Sequence, residues 1–178
     1  ISTPPGAGAA APVSLLKNGD FGLDTDGNGV ADDWACSMTG AGTACTRERI
    51  APGVDRWCQR IACPQPDNQG RSGAMLSQQD VPVQEGQWYR VSLRAKAEGW
   101  QAGSITLTIQ DTTTWRSCFE YQSFTPTEEW KQFTFRVQGT RTATTNTKFQ
   151  VWHSGVGTVW FSDLRMEPTG PPGRGRWL

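Results

Sequence analysis

The densest set of chemically competent residues lies between Asn18 and Trp34, in the run N-G-D-F-G-L-D-T-D-G-N-G-V-A-D-D-W. Asp24, Asp26 and Asn28 fall on alternate positions, and Asp32 and Asp33 return to the same spot. Gly27 and Gly29 permit the positive φ angles of a tight loop. Hard cations such as calcium take roughly six to eight oxygens at about 2.3–2.6 Å, from carboxylates, amides and backbone carbonyls. This spacing supplies several from one short loop, and the carbonyl of Val30 adds another. The expectation is a structural Ca2+ clamping the loop inside a β-fold; the bland alternative is an Asp/Asn/Gly turn without metal.

The start of the run is similar to an EF-hand loop, D-x-D-x-N-G. The twelfth position is Ala35, where an EF-hand needs a bidentate Glu, and no helical pattern flanks the loop. It is therefore read as something other than an EF-hand.

Tryptophan carries the second chemistry. Nine Trp stand against two Tyr, so some of these rings must serve something other than the core. An aromatic ring can cover an apolar ligand face, and neighbouring amides and charges can read a rim of hydroxyls.

Composition narrows the classes. The chain has 178 residues and a formal net charge of zero. That length fits one domain with tails, and the charge argues against nucleic acid as a partner. No apolar run of membrane-spanning length exists, so no membrane partner is expected. No leader is read at the start, although the numbering can begin after its cleavage. Residues 1–13 and 169–178 are rich in Pro, Gly and Ala and are read as linkers around a folded block, 14–168. Frayed termini would look the same.

Helix signals are nearly absent, and short strand-like runs recur between turn signals. Strands are expected at Ser14–Phe21, Trp34–Met38, Ala44–Ile50, Arg56–Cys63, Gly73–Val83, Tyr89–Ala97, Ser104–Gln110, Ser117–Phe124, Lys131–Val137, Lys148–Trp152 and Thr158–Glu167. This predicts an all-β, two-sheet antiparallel sandwich of the jelly-roll type. Tyr89, Val91, Leu93, Ala95 and Ala97 alternate with Arg90, Ser92, Arg94 and Lys96. Ile105, Leu107 and Ile109 alternate with Thr106, Thr108 and Gln110, and Phe133, Phe135 and Val137 with Thr134 and Arg136. Each is a period-two signal with one buried and one available face. In Lys148–Trp152 the inward pair is Phe149 and Val151, which turns Lys148, Gln150 and Trp152 outward. A tryptophan on the non-core face is the most informative single residue of the chain.

Five cysteines are present. Cys36 and Cys45 flank a turn-like stretch and could face each other across a hairpin. Cys58 and Cys63, on one straight strand, would stand about 16 Å apart at 3.3 Å per residue, too far to bridge unless the chain turns. Cys118 is the odd one. Disulfides would suit an exported, extracellular protein, but connectivity does not follow from sequence.

Several stretches together resemble one group of families. N-G-D-F with the following turn and Trp34, V-P-V-Q-E-G-Q-W-Y-R-V-S-L-R-A-K-A-E-G, E-E-W-K-Q-F-T-F-R-V and V-W-F-S-D-L-R-M-E-P look like successive segments of carbohydrate-binding modules of families four, nine, sixteen and twenty-two. The resemblance runs from about Ser14 to Pro168, and the opening loop looks most like family sixteen. It implies a galactose-binding-like β-sandwich that binds glycans without cleaving them. It also implies a structural calcium joining the first and last strands, with Asp163 as the last-strand ligand. The first-strand ligand of the group is often a Glu, where this chain has Gly22.

By strand position, the resemblance implies a groove lined by Lys148, Gln150 and Trp152, with a second aromatic at Trp115. Trp115 and Trp152 are the expected platforms. Gln110, Gln150, Arg94 and Glu120 are the expected rim readers, and Trp57 is a further carbohydrate-binding candidate. Trp34 and Trp130 match core positions of the group.

The leading expectation is a monomeric, secreted, non-catalytic module that binds β-glucan, xylan or mannan chains and targets an attached glycoside hydrolase. A structural sandwich that only stabilises or spaces a neighbouring catalytic domain is the alternative. A hydrolase would need a carboxylate pair such as Glu120 with Glu128 or Glu129. Those two Glu read as a turn before Trp130. The lone His153, at a strand end, reads as structural.

Overall fold

Period-two alternation gives each strand one apolar face, and two antiparallel sheets bury those faces against each other. The computed structural model describes residues 13–65 and 73–173, so most of the two expected linkers lies outside the described residues. One sheet is ordered β1 (Ala35–Met38), β4 (Ala74–Gln79), β10 (Thr147–His153), β6 (Ile105–Asp111) and β7 (Arg116–Ser117), with β8 (Gln122–Phe124) also paired to β6. The other is ordered β2 (Ala44–Arg49), β3 (Trp57–Cys63), β11 (Gly157–Thr169), β5 (Trp88–Glu98) and β9 (Lys131–Gln138). The all-β sandwich read from the sequence is the fold observed. No helix among the described residues is long and apolar enough to cross a membrane.

The core is what the alternation dictates. Leu76, Leu107, Ile109, Phe149 and Val151 of the first sheet meet Ile61, Val91, Leu93, Ala95, Val159 and Phe161 of the second, all buried. Phe21 and Trp34 close one end; their rings lie 5.4 Å apart, and Trp34 meets Phe149 edge-on at 6.2 Å. The indole N–H of Trp34 donates to the Asn18 carbonyl at 3.0 Å, so this buried ring is also satisfied. His153 is buried at the end of β10. Its ring pairs with the Gly157 carbonyl at 3.0 Å and accepts from the Gly155 N–H at 3.3 Å. Burial holds its pKa below the ordinary imidazole value, against the opposing Gly157 contact. With both nitrogens engaged inside the fold, this histidine is structural.

Three expectations about strands need correction. Ser14–Phe21 is not a strand. Asn18 and Phe21 have φ of 48° and 55°, outside the φ range of regular strand backbone. The segment is pinned through side chain and backbone instead. Gln78 accepts from the Lys17 N–H and donates to the Lys17 carbonyl, both at 2.8 Å, and the Leu15 N–H donates to the Met166 carbonyl at 2.6 Å. Ser117–Phe124 breaks into β7 and β8 because Cys118 and Phe119 leave the sheet edge and enter the core. The strand expected from Gly73 to Val83 stops at Gln79, and Asp80 follows with φ of 58°.

Trp130 is corrected as well. It is half-buried on the outside of the second sheet, with Arg94 and Lys96 over its ring at 5.7 and 5.6 Å. Alternation does not extend to this residue, which lies in the turn just before β9.

Candidate functional site

β10 lies between β4 and β6, and its register sets the outward face of the first sheet. Lys148 stands between Gln79 and Gln110, Gln150 between Ser77 and Thr108, and Trp152 between Met75 and Thr106. This face is a floor of amides and hydroxyls with aromatic rings around it.

A chain of hydrogen bonds crosses the floor. Trp152 Nε1–H donates to Gln150 Oε1 at 2.8 Å, Gln150 Nε2–H to Gln110 Oε1 at 2.9 Å, and Gln110 Nε2–H to the Tyr121 hydroxyl at 3.2 Å. An indole N–H can only donate. It therefore fixes the amide of Gln150, which fixes the amide of Gln110, which makes the Tyr121 oxygen an acceptor. The Tyr121 proton is left to point to solvent. Tyr121 is 52% exposed, whereas Gln150 is 2% exposed. Gln150 was expected to read a ligand directly. In the fold it lies beneath the rings and orients Trp152 and Gln110. Thr108 donates to the Ser117 hydroxyl at 3.3 Å, and Thr106 and Ser123 share a hydrogen bond at 3.1 Å, which completes a rigid polar surface.

Trp115 rises at the far end. It is 61% exposed, with φ of 56°, on the turn between β6 and β7. The turn is anchored. The Trp115 N–H donates to the Asp111 carbonyl, and the Thr112 N–H to the Asn146 carbonyl just before β10, both at 2.7 Å. The Asp111 carboxylate accepts from the Thr113 N–H at 2.9 Å, and chiefly that bond holds its pKa below the ordinary carboxylate value. The Thr147 end of β10, beside which the turn is anchored, and Trp152 are about 16 Å apart at 3.3 Å per residue. Glu120 is exposed in the connection that also carries Tyr121.

One expected rim reader and the further candidate are elsewhere. Arg94 lies on β5 and Trp57 on β3, both in the second sheet. The Trp57 ring has Arg47 at 3.6 Å and Arg49 at 4.7 Å from its centroid. Alternation told inward from outward for Arg94 but not which sheet its strand joins, and Trp57, whose strand has no clear alternation, packs against the core. Tyr121 was missed. It belongs to no alternating run, and only the β7–β8 connection brings it beside Gln110. Glu128 borders a hollow on the second sheet with Lys96, Glu98 and Trp160, apart from Glu120 on the first.

The acidic loop makes a second feature. Asp24, Asp26 and Asp32 each offer a carboxylate oxygen, all within 4.8 Å of one another. Oxygens bound to one calcium at about 2.3–2.6 Å can be at most about 5 Å apart, so the three carboxylates fit a single ion. The loop is built to hold them. The Asn28 and Gly29 N–H groups donate to Asp24 at 3.2 and 3.1 Å, and the Thr25 N–H donates to Asp32 at 3.0 Å. Desolvation raises the Asp24 pKa, but bonds from Gly29 and its neighbours outweigh it and leave the group below the ordinary value. Buried Gln59 docks the loop on the second sheet. It accepts from the Ala31 N–H at 3.1 Å and donates to the Gly29 carbonyl at 2.9 Å.

Asn28 closes the loop, with its Oδ1 accepting from the Val30 N–H at 2.8 Å and its Nδ2 donating to Asp26 at 2.8 Å. Asp33 is exposed, with φ of 68°. Asp163 sits on a bulge of β11 and pairs with the Arg56 guanidinium. Arg47 meanwhile donates to the Phe21 carbonyl at 2.6 Å and to the Gly22 carbonyl. Guanidinium groups thus reach oxygens where the opening segment nears the last strand, and Asp163 lines a hollow there with Asp20, Gly22 and Arg56.

The chain matches no family model and no curated protein. Its fold is shared with solved carbohydrate-binding modules. A family 4 module superposes with a TM-score of 0.57 at 23% identity, over 86% of this chain and 99% of that one. The family 22 xylan-binding domain from Paenibacillus barcinonensis does so with a TM-score of 0.59 at 10% identity, over 91% and 98%. An arabinose-bound α-L-arabinofuranosidase gives 0.66 at 18% identity over 87% of this chain, which spans only 26% of that enzyme.

Proposed function

We propose that this chain is a non-catalytic carbohydrate-binding module. It binds a polysaccharide chain of the β-glucan, xylan or mannan type along the outward face of its first sheet. The observation that carries the reading is the oriented chain Trp152–Gln150–Gln110–Tyr121, flanked by the exposed Trp115. A pyranose offers apolar C–H faces and a rim of hydroxyls. Trp152, Trp115 and Tyr121 suit the faces; base stacking on aromatics, the nearest measured analogue, contributes about 1–3 kcal/mol per ring. Gln110, Lys148, Glu120 and the free Tyr121 proton suit the rim, at about 0.5–1.5 kcal/mol net for each neutral hydrogen bond. The folded block between Pro- and Gly-rich ends is read as a module of a secreted glycoside hydrolase.

Affinity gel electrophoresis against soluble β-glucan, xylan, glucomannan and galactan tests this. Retardation by at least one glycan, without product release from any, is expected. No retardation by any of the four moves the reading to a structural spacer domain.

Calcium on Asp24, Asp26 and Asp32 would act on the fold, because the loop docks through Gln59 and lies off the glycan face. An ion held at a hundred times its Kd stabilises by about 2.7 kcal/mol. Chelation is therefore expected to lower Tm by about 5–10 °C, with glycan affinity at low temperature unchanged. A Tm indifferent to both chelator and added calcium would remove the ion from the account.

A further inference from the structure

Cys36 and Cys45 do not face each other across a hairpin. Cys36 is on β1 of the first sheet, opposite Leu76, and Cys45 is on β2 of the second, opposite Ile61. β1 and β2 are edge strands of their respective sheets. Both side chains are half-buried against the core, at the side of the sandwich where the short connection 39–43 carries the chain from the edge of one sheet to the edge of the other. Gln59 Nε2–H also donates to Cys45 Sγ, at 3.3 Å. The amide that docks the acidic loop therefore also holds one of the two sulfurs.

The other cysteines are differently placed. Cys58 is buried, its thiol turned to the Glu48 carbonyl at 3.4 Å and pushed up to about 12 by burial. Cys63 is buried and turned to the Gln65 carbonyl at 3.4 Å. Cys118 is buried in the core.

We propose that Cys36 and Cys45 are a disulfide-forming pair that staples the edge of one sheet to the edge of the other, while Cys58, Cys63 and Cys118 stay reduced. The oxidant is a small-molecule disulfide such as oxidised glutathione. The Cys36 thiolate attacks one of its sulfurs and expels one thiolate. Cys45 then gives up its proton and attacks the Cys36 sulfur, expelling the second. Two protein thiols lose two electrons and two protons, and the small-molecule disulfide becomes two thiols. A hydrogen bond from the Cys45 thiol favours Cys36 as the first to ionise, because it stabilises the Cys36 thiolate.

The test uses the whole chain equilibrated with oxidised glutathione, then unfolded in guanidinium and titrated with Ellman's reagent. Three free thiols per chain are expected, against five after dithiothreitol, with one peptide pair joining Cys36 to Cys45 by mass spectrometry. Closing this short loop is expected to raise Tm by about 5–10 °C over the reduced protein. That gain should be absent in both Cys36→Ser and Cys45→Ser. A Cys58→Ser/Cys63→Ser/Cys118→Ser variant should keep the linkage if it folds, and the thiol count on the unaltered chain stands without it. Five free thiols after oxidation, or a linkage involving any other cysteine, would overturn the proposal.

Discussion

Trp152→Ala is expected to weaken polysaccharide binding by about tenfold to a hundredfold, as read by affinity electrophoresis or calorimetry. Two losses combine. The stacking surface goes, at about 1–3 kcal/mol by analogy with nucleobases. The only obligate donor of the hydrogen-bond chain goes with it, so the amides of Gln150 and Gln110 can flip and the Tyr121 proton is no longer aimed at solvent. Trp152→Phe separates the two. It keeps much of the stacking face and loses the N–H, so its affinity should fall between those of the native chain and the alanine variant. Half-buried Trp152 faces away from the core, so the alanine variant should still fold. Native affinity in a folded Trp152→Ala protein would sink the assignment of this face.

Phe149→Ala is expected to cost about 3–5 kcal/mol of stability in urea denaturation. The ring is fully buried between the sheets and packs against the edge of Trp34. Its removal leaves a cavity that two hydrogen-bonded sheets can only partly close. The same substitution tests how the site is built, because Phe149 immediately precedes Gln150 and supports the central strand from below. Glycan affinity of the still-folded fraction should change far less than with Trp152→Ala. A stability loss under about 1 kcal/mol would mean that this part of the core is packed differently.

A good deal of this was legible in the residues. The alternation in Tyr89–Ala97, Ser104–Gln110 and Lys131–Val137 specified strands and their buried faces, because side-chain direction along a strand has a strict period of two. The same logic turned Trp152 outward, and the Asp/Asn/Gly spacing marked the loop whose three carboxylates converge. Those properties are local. They depend on the chain within a few residues, so the sequence determined them alone.

The sheet to which each strand belongs is not local. Arg94 faces outward and Trp57 packs against the core, both on the other sheet from Trp152, because sheet membership is decided by long-range pairing that alternation does not encode. Tyr121 reaches Gln110 only through the fold of an irregular connection. Gln150 changed from a direct reader to a buried positioning residue because its neighbours cover it. Asp163 pairs with Arg56, and Cys36 and Cys45 stand on the edges of two sheets rather than along one hairpin. In each case the partner is remote in sequence or in an unpatterned segment, and only the packing of one sheet on the other brings the groups together. Sequence alone thus determined which side chains face out and which loop gathers oxygens. The tertiary structure decided which of them share a surface, because proximity between strands is set by the collective burial of both apolar faces.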